Sequence, residues 1–462
     1  MAWLEKYWYY PIIVLIIFTG VLLTIRLRGI QFRKTGKALK LMLKDNASGS
    51  GEVSTFGALC ISLSATIGTG NIIGVASALT IGGAGALFWL IVVSILGLST
   101  KFAEGFLAVK YRRMENGAII GGPYAYIEYG LGEKWKILAK AFAFFGAVAA
   151  ILGIGTMTQS NGIVDSFQNV FHNPATIKIF GFDLSIVSII VAIIVTLLAT
   201  LVLIGGIKRI SKVCEYIVPI MAVLYVLICL LIILINVKAL PQACLDILKL
   251  AFKPQAFLGG ALGYTIGKAI TSGVSKGIFA NEAGLGSTPI ALASSQNNDP
   301  VKQGLISMGG MMVTIIICLM TGLVVTITKA YTLNLEGIHI TLSAFKNGLG
   351  FGDMISSILL LLCIVFFAFT TIIGWNLYGM KCIHYLTHNH KFASTIYLIL
   401  YLTAVFVGCF LRVKVIWDIA DVANALMAIP NLIALILLSK KVQKETLDYD
   451  YQSLNAKIDV DK

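Results

Sequence analysis

The stretch that most constrains this chain is residues 55–100, which contain no Asp, Glu, Lys, Arg or His. A charge-free run of this length is typical of membrane-spanning segments. Its centre holds Gly68, Thr69, Gly70 and Asn71, small and polar residues that interrupt the apolar pattern. Hydrocarbon offers no hydrogen-bond partner to a free backbone group, so such an interruption needs partners from protein or a bound solute. The pattern therefore predicts a helix that breaks in the middle of the membrane.

Two interpretations of this interruption are open. In membrane transporters, a broken helix presents backbone N–H groups to an anion and carbonyl groups to a cation. On that interpretation Gly68 and Gly70 adopt torsions that a side chain would strain, so Gly70→Ala weakens ligand binding. The alternative is that glycine and threonine only let helices pack closely. In that case Gly70→Ala lowers stability and leaves affinity nearly normal.

The composition places the whole chain in the membrane. Of its 462 residues, 58% are hydrophobic and 13% are charged. A formal net charge of +14 suggests nucleic acid in a soluble protein, but here it indicates Lys and Arg on cytoplasmic loops. No polar linker separates the apolar runs, so residues 1–444 are predicted to form a single transmembrane domain. Residues 445–462 are predicted to be a disordered cytoplasmic tail.

Eleven apolar segments are long enough to span a bilayer, which needs about 20 residues. They are predicted at residues 10–25, 55–79, 84–108, 139–164, 184–206, 214–235, 257–295, 304–327, 354–380, 392–411 and 415–438. The basic loop after the first segment is cytoplasmic by the positive-inside rule, so the N-terminus is predicted outside and the C-terminus inside. No cleavable signal peptide is expected, because no small-residue cleavage site follows the first apolar run.

Setting aside an extra N-terminal helix at residues 10–25 leaves ten segments, five over residues 55–235 and five over residues 257–438. Because five is odd, the two halves must lie in opposite orientations, which is the arrangement of an inverted repeat. The sequence therefore predicts an all-α integral membrane fold whose second half also begins with a broken helix. Residues 277–287, GIFANEAGLGS, interrupt that segment as expected. Two interrupted helices at corresponding positions indicate the binding site of a transporter.

The first interruption offers ligands for both an anion and a cation. The N–H groups of Thr69 and Gly70 can bind a carboxylate. The carbonyl groups of Ser64 and Ile67 can bind Na⁺, which prefers oxygen ligands. The chemistry is that of a transporter, and no nucleotide-binding loop or catalytic constellation indicates an enzyme or a cofactor.

Side chains elsewhere extend this candidate site, each with a plainer alternative. Thr370 and Thr371 offer two hydroxyls to a cation, or bond only to their own helix. Gln159 offers an amide to a carboxylate or an ammonium group, or faces water at the outer interface. Phe279 and Trp375 wall a small pocket, or serve only in helix packing.

The charged residues within the predicted spans are functional candidates by default. Glu282 lies in the second interruption, and a pair with Lys276 that holds the break open is favoured over a proton relay. Lys101 and Glu104 share one face of a helix and are expected to pair with each other.

Several motifs resemble those of the alanine/glycine:cation symporter family. They are SATIGTGNIIGVA at residues 64–76, KFAE at 101–104, GGIKRI at 205–210, NEAGLGS at 281–287, IGW at 373–375, WDIAD at 417–421 and AIPNL at 428–432. They occur in the family's order and cover nearly the whole chain. The resemblance implies a leucine-transporter-like fold of two inverted five-helix repeats. It also implies that uptake of alanine or glycine is coupled to Na⁺, or in some members to H⁺.

The resemblance also assigns roles to residues of this chain. It implies that the substrate is faced by Thr69, Gly70, Asn71, Gln159, Phe279 and Trp375. It implies a Na⁺ site between Ser64 and Ile67 of the first break and the hydroxyls of Thr370 and Thr371.

The expected ligands are a small neutral amino acid and Na⁺, in a bacterial plasma membrane. Neither nucleic acid nor an obligate protein partner is expected. Two alternatives stay open at this point: an uncoupled facilitator or channel for small amino acids, and an amino-acid sensor that transports nothing.

Overall fold

The computed structural model describes residues 10–44, 49–115, 117–153, 155–171, 175–179, 182–252, 266–411 and 413–451. The helices of the first half are α1 (Tyr10–Arg26), α2 (Ile30–Arg33), α3 (Thr35–Lys44), α4 (Thr55–Thr66), α5 (Val75–Gly82), α6 (Gly85–Lys110), α7 (Pro123–Ala125), α8 (Lys136–Leu152), α9 (Met157–Phe171), α10 (Ile186–Leu203), α11 (Gly206–Ile235) and α12 (Leu240–Phe252). Those of the second half are α13 (Ile266–Asn281), α14 (Thr288–Leu292), α15 (Pro300–Ile327), α16 (Ile338–Leu349), α17 (Asp353–Thr387), α18 (Lys391–Gly408) and α19 (Val413–Leu447).

Short elements connect these helices. Two antiparallel hairpins pair β1 (Arg113–Glu115) with β2 (Ala118–Ile120), and β3 (Thr176–Ile179) with β4 (Phe182–Ser185). The remaining turns are π-helical at Gly70–Gly74 and Tyr126–Gly130, and 3₁₀-helical at Glu133–Trp135, Val237–Ala239 and Ala330–Thr332.

Eight helical segments within the described residues are long and apolar enough to cross a membrane, or nine if α4 and α5 form one bent span. The eight are Gly85–Lys110, Glu133–Phe171, Ile186–Leu203, Gly206–Ile235, Pro300–Ile327, Asp353–Thr387, Lys391–Gly408 and Val422–Leu447. An all-α, multi-pass membrane protein is therefore confirmed. Eleven spans in two inverted repeats stay a prediction, and residues 257–265 of the predicted seventh span lie outside the described residues.

Helix α6 forms the centre of the packing. Every residue from 97 to 109 is buried, including Lys101 and Glu104. A helix that is apolar on all sides is typical of a core position. It lies against α13 and α15, while the bent pair α4 and α5 is packed by α11, α13, α15 and α17. The two predicted interruptions are thereby held inside the helical assembly.

The C-terminal segment is ordered further than the sequence predicts. Helix α19 continues to Leu447, past the start of the expected tail. The Tyr449 hydroxyl donates a hydrogen bond of 2.5 Å to Asp299, and Lys110 forms an ion pair of 2.8 Å with Glu445. The remainder of the predicted tail, residues 452–462, lies outside the described residues.

Candidate functional site

The first break occurs at Ile67, directly after α4. Ile67 has extended torsions, with φ of −92° and ψ of 90°, so the helical hydrogen-bond ladder is interrupted there. Thr69 is already helical again, and the chain continues through the π turn Gly70–Gly74 into α5. The two helical pieces meet at a bend of 50°. The predicted broken helix is thus confirmed.

The prediction that Gly68 and Gly70 carry strained torsions is wrong. Neither residue has a φ in the left-handed region, and Ile67 takes the extended conformation at the bend. A Cβ atom on Gly70 would meet no atom within 4 Å. At Gly68, however, a Cβ would lie 2.8 Å from the Thr371 hydroxyl and 3.1 Å from the Gln159 amide. Gly68 therefore lets the side chains of Thr371 and Gln159 approach the backbone of the first break closely.

Side-chain amides bind the backbone N–H groups at the break. The Gly68 N–H donates to Asn71 Oδ1, and the Thr69 N–H donates to Gln159 Oε1, both at 3.0 Å. Asn71 Nδ2 in turn donates to the carbonyl of Ala280 in α13, at 3.0 Å. Two backbone N–H groups of the first break thus have partners within the protein. Asn71 also connects the first break to α13, the helix that precedes the second break.

Thr371 brings its hydroxyl to the carbonyl oxygens of the first break. Its Oγ1 lies 2.8 Å from the Ser64 oxygen and 3.3 Å from the Ile67 oxygen, and all three residues are buried. Both threonine hydroxyls also bond to carbonyls one turn earlier in α17. Thr370 differs in that its hydroxyl contacts Met221 Sδ, at 3.4 Å, in place of the carbonyls of the first break. The structure therefore assembles three of the four predicted cation ligands. Neutral oxygens in this arrangement suit a hard monovalent cation.

A cavity of about 10 Å³ lies between the two breaks. This is room for roughly one water molecule. Five predicted site residues, with Glu282, line it: Gly70, Asn71, Gln159, Phe279 and Thr371. Trp375 lies next to it and donates from its indole N–H to the carbonyl of Ala65, at 3.2 Å. Four of the six predicted substrate residues therefore line one cavity, and Thr69 and Trp375 are not among the residues that line it.

The second break separates α13 from α14 and is built differently. Glu282, Gly284 and Gly286 all have left-handed torsions, with φ of 50°, 90° and 82°. Glycine adopts this region without a steric penalty, whereas glutamate does so at a cost. The interruption predicted within residues 277–287 is confirmed, but residues 277–281 are still helical and the break begins after Asn281.

The buried carboxylate of Glu104 holds the second break in place. Its Oε1 accepts hydrogen bonds from the N–H groups of Gly284 and Gly286, both at 3.2 Å, and from Asn431 Nδ2 at 2.8 Å. Lys101, one turn earlier on α6, donates to the Thr288 hydroxyl at the start of α14. Both residues thus contact the second break, and they also interact with each other electrostatically.

Glu282 has different partners from those predicted. Its Oε2 accepts a hydrogen bond of 2.5 Å from the Ser287 hydroxyl, and Lys101 is the cation that acts on it. The Lys276 ammonium group lies 5.5 Å from the ring centre of Phe279. The predicted Lys276–Glu282 pair is corrected accordingly, because the left-handed turn points Glu282 toward α6.

Helix α15 supplies site residues that the sequence analysis missed. The Thr321 hydroxyl donates to the carbonyl of Asn71 at 2.9 Å, and Cys318 Sγ lies 3.3 Å from Asn71 Nδ2. The two residues are three positions apart, so they share one face of the helix. That spacing of small polar residues in an apolar run is the signal that could have identified them.

A short segment, residues 49–53, joins the start of the first broken helix to the end of the second. We call it the strap. Its Gly49 N–H donates to the Gln296 carbonyl, at 2.8 Å. The Glu52 carboxylate in the strap binds Lys381 of α17 at 2.6 Å. Burial opposes ionisation of Glu52, but the Lys381 ammonium and the Ile119 N–H outweigh it and hold its pKa below the usual range.

Comparison with known proteins gives a match along the whole chain. The sequence matches the model of the sodium:alanine symporter family over residues 2–462. It is 49% identical over 445 residues to an uncharacterized transporter of Haemophilus influenzae, covering 96% of this chain and 93% of that one. It is 42% identical over 444 residues to a sodium/alanine symporter of Methanococcus maripaludis, covering 94% and 93%. A probable sodium/glutamine symporter of Bacillus subtilis is 36% identical over 452 residues, covering 96% and 89%.

Proposed function

Because this chain belongs to the sodium:alanine symporter family, we propose that it couples uptake of alanine or glycine to Na⁺ by alternating access. The family consists of transporters, so the chain is not an enzyme. The observation that carries the proposal is the Thr371 hydroxyl against the two carbonyl oxygens of the first break. Oxygen atoms that could bind a cation lie there beside a cavity between two broken helices, which is the arrangement typical of coupled transporters.

The substrate occupies the cavity between the breaks in this proposal. The residues that face it are Thr69, Gly70, Asn71, Gln159, Phe279 and Trp375. The small size of the cavity and the bulk of Phe279 support a substrate no larger than alanine. The cavity must widen to admit even this substrate, which is consistent with alternation between states.

Na⁺ is held in this proposal by the carbonyl groups of Ser64 and Ile67 and the hydroxyl of Thr371. Thr370 is not included among the Na⁺ ligands, because its hydroxyl contacts Met221 and its own helix and not the carbonyls of the first break. Replacing water around Na⁺ requires several oxygens at once. The three groups supply oxygen in one buried place without adding a negative charge.

We further propose the architecture expected from the sequence. Residues 1–444 form one transporter domain, with inverted repeats over residues 55–235 and 257–438. The N-terminus lies outside and the C-terminus in the cytoplasm. The breaks at the start of each half support this arrangement, since corresponding discontinuous helices are typical of inverted repeats.

Uptake in proteoliposomes tests the function. With an inward Na⁺ gradient, labelled alanine should accumulate above its external concentration, and K⁺ in place of Na⁺ should abolish the accumulation. Equilibration without accumulation would indicate a facilitator, and binding without any uptake would indicate a sensor. Excess unlabelled glycine and glutamine, added separately, define the preferred substrate.

A further inference from the structure

Glu282 places a carboxylate at the wall of the cavity. The residue is only 2% exposed and lines the cavity with Gln159 and Thr371. Its φ of 50° is unfavourable for a residue with a side chain. Strained torsions of this kind are concentrated at ligand sites, where the surrounding structure maintains them. The position therefore holds a charged group where a glycine would fit the backbone better.

The charges around Glu282 do not cancel. Lys101 interacts electrostatically with both Glu104 and Glu282. Glu104 is already engaged by the backbone of the second break. Two carboxylates and one ammonium leave a single negative charge when all three are ionised. Because backbone donors and Asn431 already satisfy Glu104, the charge that needs a further partner is that of Glu282 at the cavity wall, and a monovalent cation beside it would compensate that charge.

We propose that the Glu282 carboxylate binds the ammonium group of the amino acid substrate, an inference that rests on the proposed function. The Na⁺ ligands at the first break are neutral oxygens, so Glu282 is the negative group available in the cavity wall. At the first break, the Thr69 N–H is suited to the substrate carboxylate. An amino acid then has each charged end beside a group of opposite polarity.

The test compares alanine with propionate, which has the same carboxylate and carbon chain and lacks the ammonium group. Binding of each to the purified protein is measured at saturating Na⁺. In Glu282→Gln, alanine affinity should fall by about thirtyfold or more, as for loss of one partner of a buried charge pair. Propionate affinity should not fall, because propionate has no ammonium group that loses a partner, so the ratio of the two affinities collapses.

Glu104→Gln is the matched control. It removes a charge from the same cluster but retains an oxygen that accepts the N–H groups of Gly284 and Gly286. The ratio of alanine to propionate affinity should stay near that of the wild type. An equal collapse of the ratio in Glu104→Gln would overturn the proposal, because total charge and not Glu282 would then be responsible.

Other outcomes are equally decisive. A ratio in Glu282→Gln that equals the wild-type ratio overturns the proposal. If alanine binding by that variant then loses its pH dependence, the carboxylate binds a proton. If alanine binding instead needs a higher Na⁺ concentration, the carboxylate acts on Na⁺. If Glu282→Gln does not fold, Glu282→Asp retains the charge one methylene away, and alanine alone should bind more weakly. An equal change for alanine and propionate would contradict the proposal. A wild-type protein that binds no alanine with Na⁺ would instead contradict the proposed function.

Discussion

The two breaks interrupt their helices by different physical means. The first uses one extended residue, Ile67, and its N–H groups bind the neutral amides of Asn71 and Gln159. The second uses three left-handed residues, 282, 284 and 286, and its N–H groups bind the buried carboxylate of Glu104.

The two kinds of hydrogen-bond partner imply different conformational freedom at the two breaks. A neutral hydrogen bond contributes about 1 kcal/mol net, so the partners at the first break can be exchanged at low cost. Bonds to a buried carboxylate are roughly twice as strong, and losing that carboxylate leaves several donors unsatisfied. We infer that the first break rearranges around ligands while the second serves as a rigid wall.

The largest expected effect tests the rigidity of the second break. Glu104→Ala removes the acceptor of two backbone N–H groups and of Asn431, and it leaves Glu282 as the remaining counter-charge of Lys101. We expect a loss of about 3–5 kcal/mol in unfolding free energy, visible as a lower melting temperature in detergent. Glu104→Gln retains an acceptor and should lose less. Equal losses in the two variants would refute the anchoring role of the carboxylate.

The next prediction concerns close approach at the first break. A methyl group in Gly68→Ala meets Thr371 and Gln159, and overpacking of this kind costs about 1–3 kcal/mol. Gly70→Ala meets open space and should change stability by less than about 0.5 kcal/mol. Thermal unfolding of both variants is the measurement. A larger loss of stability in Gly70→Ala than in Gly68→Ala would contradict the close approach at Gly68.

Substitutions of the two adjacent threonines of α17 test the proposed Na⁺ site at the first break. Thr371→Val removes the hydroxyl that reaches Ser64 and Ile67, so the Na⁺ concentration for half-maximal uptake should rise by about tenfold. Thr370→Val is the control, because its hydroxyl serves α17, and its Na⁺ dependence should be that of the wild type. The same shift in both variants would exclude a specific role for Thr371.

The smallest effect concerns the strap that connects the two breaks. The pKa of Glu52 is lowered by its contact with Lys381, so its stabilising contribution is complete above its unfolded-state pKa. That contribution is lost as the pH falls through the lower, folded-state value. The melting temperature of the wild type should therefore exceed that of Glu52→Gln at neutral pH, and the gap should close in acid. A gap that widens in acid would show that the contact does not stabilise the fold.

The sequence was sufficient for the positions of both breaks, because glycine and polar residues inside apolar runs have few other physical explanations. It was not sufficient for their torsions. Whether Ile67 or Gly70 makes the bend depends on how α17 and α9 pack against it. The partner of Glu104 was also inaccessible, since Gly284 is 180 positions away and no local pattern connects them. Thr370 and Thr371 were indistinguishable until the helix orientation was known.

The hydrogen bond from Thr69 to Gln159 has a consequence for turnover. The amide oxygen accepts from the N–H group that our proposal assigns to the substrate carboxylate, so in this proposal binding exchanges one acceptor for another. The net gain at this contact is only the difference between a charged and a neutral acceptor. When the substrate leaves, the amide returns and no donor is left bare in the membrane. If the proposed site is correct, Gln159 is an internal competitor of the substrate, which favours rapid release over tight retention.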